Sequence, residues 1–181
     1  MNETFAYTRV ASPLGTLMIV ADGRALTGVY FDGQRHQPPI GDDWVDRDDA
    51  PLLRRAASQI AEFFSGARAH FDLPLAPSGT AFQRSVWDAI AKVPRGQTIS
   101  YAELAERAGS PGSARAAGTA TGRNPLSIVI PCHRIVGSDG ALTGYAGGLD
   151  RKRALLALER AVQMPGPSGI AASRLLPGAL R

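Results

Sequence analysis

The chain contains one cysteine, Cys132, followed directly by His133 and Arg134. A thiol becomes a strong nucleophile when it loses its proton, since the thiolate is the reactive form. Upstream runs Asn124-Pro125-Leu126-Ser127-Ile128-Val129-Ile130-Pro131. Five of the six residues from Leu126 to Pro131 are apolar, and two prolines bracket the run. Each proline fixes its own φ, removes a backbone donor and pushes its predecessor toward extended geometry. The spacing predicts a short extended segment that carries the thiol out of a buried run. A lone cysteine after an apolar run is also a common inert core residue. The rigid flanks and the adjacent imidazole favour an aimed nucleophile.

The elements that must position this segment fall on both sides of it. Residues 4–10, 16–21 and 25–31 are short and rich in β-branched and aromatic side chains, with turn chemistry at Pro13-Leu14-Gly15 and Asp22-Gly23. They predict an antiparallel meander. Residues 33–50, with Asp42, Asp43, Asp46, Asp48 and Asp49, read as a solvated loop whose acids match no known metal cage. Leu52, Leu53, Ala56, Ile60, Phe63 and Phe64 recur at helical spacing up to a stop at Gly66. His70-Phe71-Asp72-Leu73 is expected as a last strand, and the linker 74–79 as a domain boundary.

Thr80 to Gln83 has capping-box spacing. The helix behind it shows Phe82, Val86, Ile90 and Val93 on one face, with Trp87 beside them. Ser100 to Glu103 repeats the capping pattern, and Gly109 ends that helix. Ser110-Pro111 is expected to start the next at once, as N-cap and first helical residue. Two short helices joined this way form a helix-turn-helix signal. The second carries Ser113, Ala114, Arg115, Ala116, Ala117, Gly118, Thr119 and Ala120: small side chains around one long cation. Small residues permit close approach to a DNA groove, or equally to another helix. After a turn at Gly137–Gly140, Thr143-Gly144-Tyr145-Ala146-Gly147-Gly148 reads as a loop that approaches something closely. Asp150 is expected to cap a last helix from Arg151 to Val162, with Leu155, Leu158 and Val162 buried.

The 181 residues are 44% hydrophobic and 20% charged, ordinary for a globular protein. One cysteine excludes an intramolecular disulfide and a Cys-rich zinc site, and it fits a reducing compartment. No signal peptide or membrane span is visible, so a cytoplasmic location is expected. Residues 1–79 hold 7 Lys/Arg and 10 Asp/Glu, a net of −3, whereas residues 80–181 hold 13 and 6, a net of +7. The basic half carries the cysteine. A polyanion partner or a plainly solvated basic surface would both account for that.

In order, the blocks Val93-Pro94-x-Gly96-x-Thr98-x-Ser100-Tyr101, Ala114-Arg115-Ala116, Arg123-Asn124-Pro125, Ile130-Pro131-Cys132-His133-Arg134, Gly144-Tyr145-x-Gly147-Gly148-Leu149 and Leu155-Leu156-x-Leu158-Glu159 resemble the methylated-DNA–protein-cysteine methyltransferases. The resemblance is strong over residues 80–161, and Ser12-Pro13-Leu14-Gly15 extends it into the first unit. It implies an α/β N-terminal domain over 1–79, a ribonuclease H-like antiparallel meander plus helix. A mainly α domain over 80–162 would follow, with a winged-helix-like helix-turn-helix that binds the minor groove. Residues 163–181 are expected to be a disordered tail.

The resemblance also implies irreversible, single-turnover transfer of an alkyl group from guanine O6, and from thymine O4, to Cys132 after base flipping. His133 would take the thiol proton through a water, Glu159 would orient His133, and Asn124 would hold the turn before the cysteine. Tyr101 and the backbone near Ala146 would reach the base. Carbonyls of Cys132 and Ile135 would read its amine, and Tyr145 would wall the pocket. Arg115 would fill the vacated stack, with Ala114, Gly118 and Arg123 also at the DNA. Some relatives carry Ser where this chain has Ala146, which bears on tolerance for bulky alkyl groups. Zinc-binding cysteines of some relatives are absent, so no metal and no cofactor is expected. The partner is double-stranded DNA containing O6-alkylguanine, met by a monomer with no membrane involved. Two other classes stand beside this one: a non-catalytic alkyltransferase-like lesion binder, against which Cys132 argues, and a cysteine hydrolase built on Cys132, His133 and Glu159.

Overall fold

The computed structural model describes residues 5–163, with side chains as far as residue 160. Strands β1 (Phe5–Val10), β2 (Leu17–Ala21) and β3 (Leu26–Phe31) are antiparallel neighbours, as the alternation predicts. The 33–50 stretch is not wholly loop: Trp44–Asp46 forms β4, parallel to β1, giving the order β3-β2-β1-β4. The reason is apolar. Strand β2 is buried on both faces. Leu17, Ile19 and Ala21 enter the main core, while Met18 and Val20 turn to the other face with Tyr30. Trp44 covers that second face, its ring 5.7 Å from Phe5 and 6.2 Å from Tyr7.

Helix α1 (Pro51–Phe64) ends as expected at Gly66, φ +82°. Gly66 N–H bonds Phe63 O and Ala67 N–H bonds Glu62 O, the paired closure of a Schellman stop. The strand expected at 70–73 does not form. Asp72 donates its N–H to Gln59 Oε1 and accepts from Gln59 Nε2, at 2.9 and 3.0 Å. A side chain of α1 thus satisfies the backbone groups that a strand partner would have taken. Only Leu75 bridges to Leu26.

Helix α2 (Ala81–Ala91) has both halves of the Thr80/Gln83 capping box. Helix α3 (Tyr101–Arg107) starts on Ser100, whose Oγ accepts from Glu103 N–H. The next helix, α4 (Ala114–Gly122), begins later than Ser110-Pro111 suggests. Gly112 sits at φ +81°, outside helical space, so residues 110–112 are a turn and Ser113 precedes the helix without a side-chain cap. Helix α5 (Leu149–Gln163) begins two residues earlier than expected, with Asp150 inside its first turn rather than before it. Two-residue strands β5 (Ile99–Ser100) and β6 (Ile135–Val136) pair in parallel. The expected tail beyond Gln163 lies outside the described residues.

One contiguous apolar core joins β2, β3, α1, α2, α4, the cysteine segment and α5. Trp87 of α2 crosses it, 2% exposed, and donates Nε1–H to Ala120 O of α4 at 2.9 Å. Trp87→Phe is expected to lower stability by about 1–3 kcal/mol, for a lost buried hydrogen bond and reduced packing. Denaturant melts of the two proteins, compared at constant m-value, check this.

Candidate active site

The segment before Cys132 is not extended. Residues 127–129 form a tight turn in which Ile128 adopts φ +72°. Left-handed geometry costs a β-branched residue roughly 1–2 kcal/mol. Two sets of bonds hold it there. Strand β3 supplies the first: Val29 N–H donates to Pro125 O at 2.8 Å, and Ser127 N–H donates to Val29 O at 2.9 Å. The carboxamide of Asn124 supplies the second. Its Oδ1 accepts from Leu126 N–H at 3.0 Å, and its Nδ2 donates to Ile130 O at 2.8 Å and Cys132 Sγ at 3.1 Å. The apolar side chains of the run all turn inward, and Cys132–Arg134 then form a single 3-10 turn.

Cys132 is 4% exposed, yet it lines a cavity of about 290 Å³ that is open to solvent. Tyr101, Tyr145, Ala146, Gly118 and Arg123 line the same cavity. Burial pushes the thiol pKa up, and the Asn124 amide, the Lys152 charge and the local backbone N–H groups offset this only in part. The resting sulfur is therefore protonated at neutral pH, and its chemistry requires a base.

Behind the sulfur lie His133 and Glu159, both fully buried. Glu159 is thus no solvated surface residue of α5. Glu159 accepts from Arg134 Nε and Nη2, from His133 Nε2 at 2.8 Å and from Gly96 N–H at 3.2 Å. Burial alone would raise its pKa; His133 and Arg134 outweigh that and bring it to about 2. Burial pushes His133 the other way, below its ordinary value, against the pull of Glu159. The imidazole is accordingly neutral, and Arg134 is the lasting counter-charge. An ionised carboxylate only accepts, so His133 Nε2 carries the hydrogen. Nδ1 is then left with a free lone pair, and it has no hydrogen-bond partner among the described residues.

Lys152 was not legible in advance. Its Nζ is buried among three carbonyls, Ile135 O at 2.5 Å, Thr143 O at 2.8 Å and Gly144 O at 3.2 Å. Burial lowers its pKa to about 8, and the Cys132 charge acts against that. Tyr101 Oη donates to the same Thr143 carbonyl at 3.0 Å. The loop 143–148 is thus tied to both helices that flank it. Gly147 is needed there: a Cβ would stand 2.9 Å from the Tyr145 ring and 3.1 Å from Phe31. Lys152 lies one helical turn before Leu155 and two before Glu159, so periodicity was the available signal, hidden inside the basic run Arg151-Lys152-Arg153.

Other expected site residues lie apart from the cavity. Ile135 is fully buried, and its carbonyl is taken by Lys152. Arg115 is exposed on the outer face of α4, with Ala114 half-buried beside it.

The sequence descriptions "6-O-methylguanine DNA methyltransferase, ribonuclease-like domain" and "6-O-methylguanine DNA methyltransferase, DNA binding domain" match residues 5–77 and 81–161. The chain belongs to the 6-O-methylguanine DNA methyltransferase family. A methylated-DNA–protein-cysteine methyltransferase of Methanosarcina acetivorans is 42% identical over 84% of this chain and 97% of its own. One from Mycolicibacterium paratuberculosis is 45% identical over 85% and 92%. The fold is similar to the crystal structure of Mycobacterium tuberculosis OGT in complex with DNA, with TM-score 0.80, 41% identity, and coverage of 87% of this chain and 94% of that one. These 6-O-methylguanine DNA methyltransferase relatives match across both units, not only around the cysteine.

Two outcomes follow for this member of the family. Asn124→Asp places a carboxylate against Ile130 O and the sulfur, so it is expected to cost more than Asn124→Ala, by about 1–3 kcal/mol in a denaturant melt. Lys152→Met removes a cation whose charge lowers the thiol pKa. It is expected to raise the pH at which Cys132 reacts with iodoacetamide by about one unit, with circular dichroism checking that the fold survives.

Proposed function

We propose that this chain repairs DNA by moving an alkyl group from guanine O6 to Cys132 Sγ, once per molecule. The observation that carries the reading is the placement of the sole thiol on a cavity between α4 and the 143–148 loop, backed by a neutral His133 whose Nε2–H is committed to Glu159. The cavity is at the small end of the range for ligand sites, about 300–1,000 Å³. It suits one base rather than a duplex, which favours extrusion of the damaged nucleotide at a cost of a few kcal/mol.

The thiol proton passes through one water to His133 Nδ1, and the imidazolium that forms is stabilised by Glu159. Sulfur attacks the alkyl carbon, the S–C bond forms, and the C–O6 bond breaks with its electron pair left on guanine. Donors aimed at that developing charge lower the barrier. Burial raises the pKa of Tyr101, so its hydroxyl keeps its proton, and it would donate to the base by turning away from Thr143 O; the Ala146 backbone is a second candidate. The guanine anion is protonated from solvent admitted by the open cavity and the imidazolium returns its proton to the same water, so the thiol's proton ends on the departing base. A thioether does not hydrolyse under mild conditions, and a single cysteine provides no second thiol to reverse the step.

Arg115 stands exposed on a helix whose other outward residues, Ala116 and Thr119, are small. That suits a backbone held close to DNA while one long cation occupies the vacated stack. The same transfer chemistry extends to O4 of thymine, where an alkyl group sits on an equivalent leaving oxygen. Among the described residues no helix is long and apolar enough to cross a membrane. A monomer in a reducing cytoplasm fits the free thiol.

The test is incubation with duplex containing O6-methylguanine, followed by peptide mass analysis. One methyl on the Cys132 peptide, stoichiometric and absent in Cys132→Ser, is expected. Intact lesion DNA bound to unmodified protein would instead make it a lesion binder, and repeated turnover on an acyl ester would make it a hydrolase.

A further inference from the structure

The mouth of the cavity is as distinctive as its floor. Arg35 and His36 of the first unit line it together with Arg123 of the second, and no acidic residue among the described ones does. Arg35 and Arg123 have no ion-pair partner among the described residues. Asp32, the nearest acid in sequence to Arg35, faces Arg9 instead. The loop that presents these cations is braced. Buried Gln34 accepts from Phe31 N–H and Ser127 Oγ, and Gln37 Oε1 accepts from Gly33 N–H. His36 is held at φ +65°, a conformation that a non-glycine residue seldom keeps without cause. Arg35 N–H donates to Ala146 O at 3.0 Å, and Arg123 directly precedes the Asn124 clamp. The backbone that carries each cation is therefore anchored at one rim of the site.

We propose that Arg35, His36 and Arg123 form a phosphate-binding site at the cavity mouth. It takes a phosphodiester group flanking the nucleotide whose base enters, an assignment that rests on reading the cavity as an alkylguanine site. Positive groups gathered without acids repel one another until an anion joins them. Burial and the charges of Arg123 and Arg35 hold His36 below its ordinary pKa, as that crowding requires. A phosphate oxygen would relieve the crowding and give the guanidinium groups charge-assisted partners. Because the cations come from both units, the backbone of the damaged strand would be gripped on both sides of the opening. The first unit would then bind substrate as well as support the fold.

The experiment compares wild type with Arg35→Gln on three substrates: a duplex carrying O6-methylguanine, the same duplex with uncharged methylphosphonates flanking the lesion, and free O6-benzylguanine, which has no phosphate. The expected result is an about tenfold loss of transfer from the normal duplex, a salt slope shallower by about one, and an unchanged rate with the free base. The methylphosphonate duplex should slow wild type by a similar factor and Arg35→Gln by no more. Wild-type rates for Arg35→Gln on the normal duplex would overturn the proposal. So would an equal loss on the free base, which would make Arg35 a support for the cavity itself. If wild type alkylates with none of the substrates, the alkyl-transfer reading fails; the salt slope of duplex binding still decides the phosphate site.

Discussion

A buried negative charge on Glu159 is the constraint around which this molecule is arranged. A carboxylate at zero exposure is expensive to keep ionised, and desolvation is repaid only when donors surround it. Here three groups from two places in the chain supply them: the backbone of Gly96, and the ring of His133 with the guanidinium of Arg134. Arg134 also donates to Val93 O. The carboxylate therefore joins α5 to the 3-10 turn that holds the cysteine and to the connection after α2. The same arrangement commits His133 Nε2–H to Glu159 and leaves the Nδ1 lone pair without a partner among the described residues.

The sulfur itself is placed by a backbone that would not adopt its shape unaided. Ile128 is left-handed, and the strain is balanced by the Asn124 carboxamide and by the edge of β3. An edge strand with open donors and acceptors is ordinarily a liability. Here Leu75 bridges its first residue, Leu26, and Leu126 bridges Val29 in its middle. The sheet thereby acts as the template on which the reactive turn is formed. Lys152 and Tyr101 do comparable work on the opposite wall, both bonding the Thr143 carbonyl.

Much of this was legible in the residues. The three antiparallel strands, the Gly66 stop and the Thr80 cap are local patterns, and local patterns survive tertiary packing. The misreadings share a different cause. Trp44 became a strand because an aromatic side chain was needed over Met18 and Val20. Residues 70–73 failed to become one because Gln59, distant in sequence, satisfied Asp72. The prolines around Leu126–Ile130 suggested extension, whereas the turn there depends on Asn124 and Val29, neither of which reveals its partner in sequence. The flanks favoured an aimed thiol at Cys132, but by an extended segment and not by the turn that sets it on the cavity. The burial of Lys152 amid a basic run was visible only in its helical phase.

Docking of the cysteine turn on β3 has a consequence for how this protein can be divided. The two halves look separable on paper, joined by a proline-bearing connector with a composition shift across it. Mechanically they are one device. Val29 supplies two of the bonds that shape the loop ahead of the sulfur, Gln34 reaches Ser127, and Leu14 O receives the guanidinium of Arg151. An isolated second half would retain its helices but lose the mould for its most demanding curve. Grafting that half onto another carrier would therefore transplant the parts without the alignment.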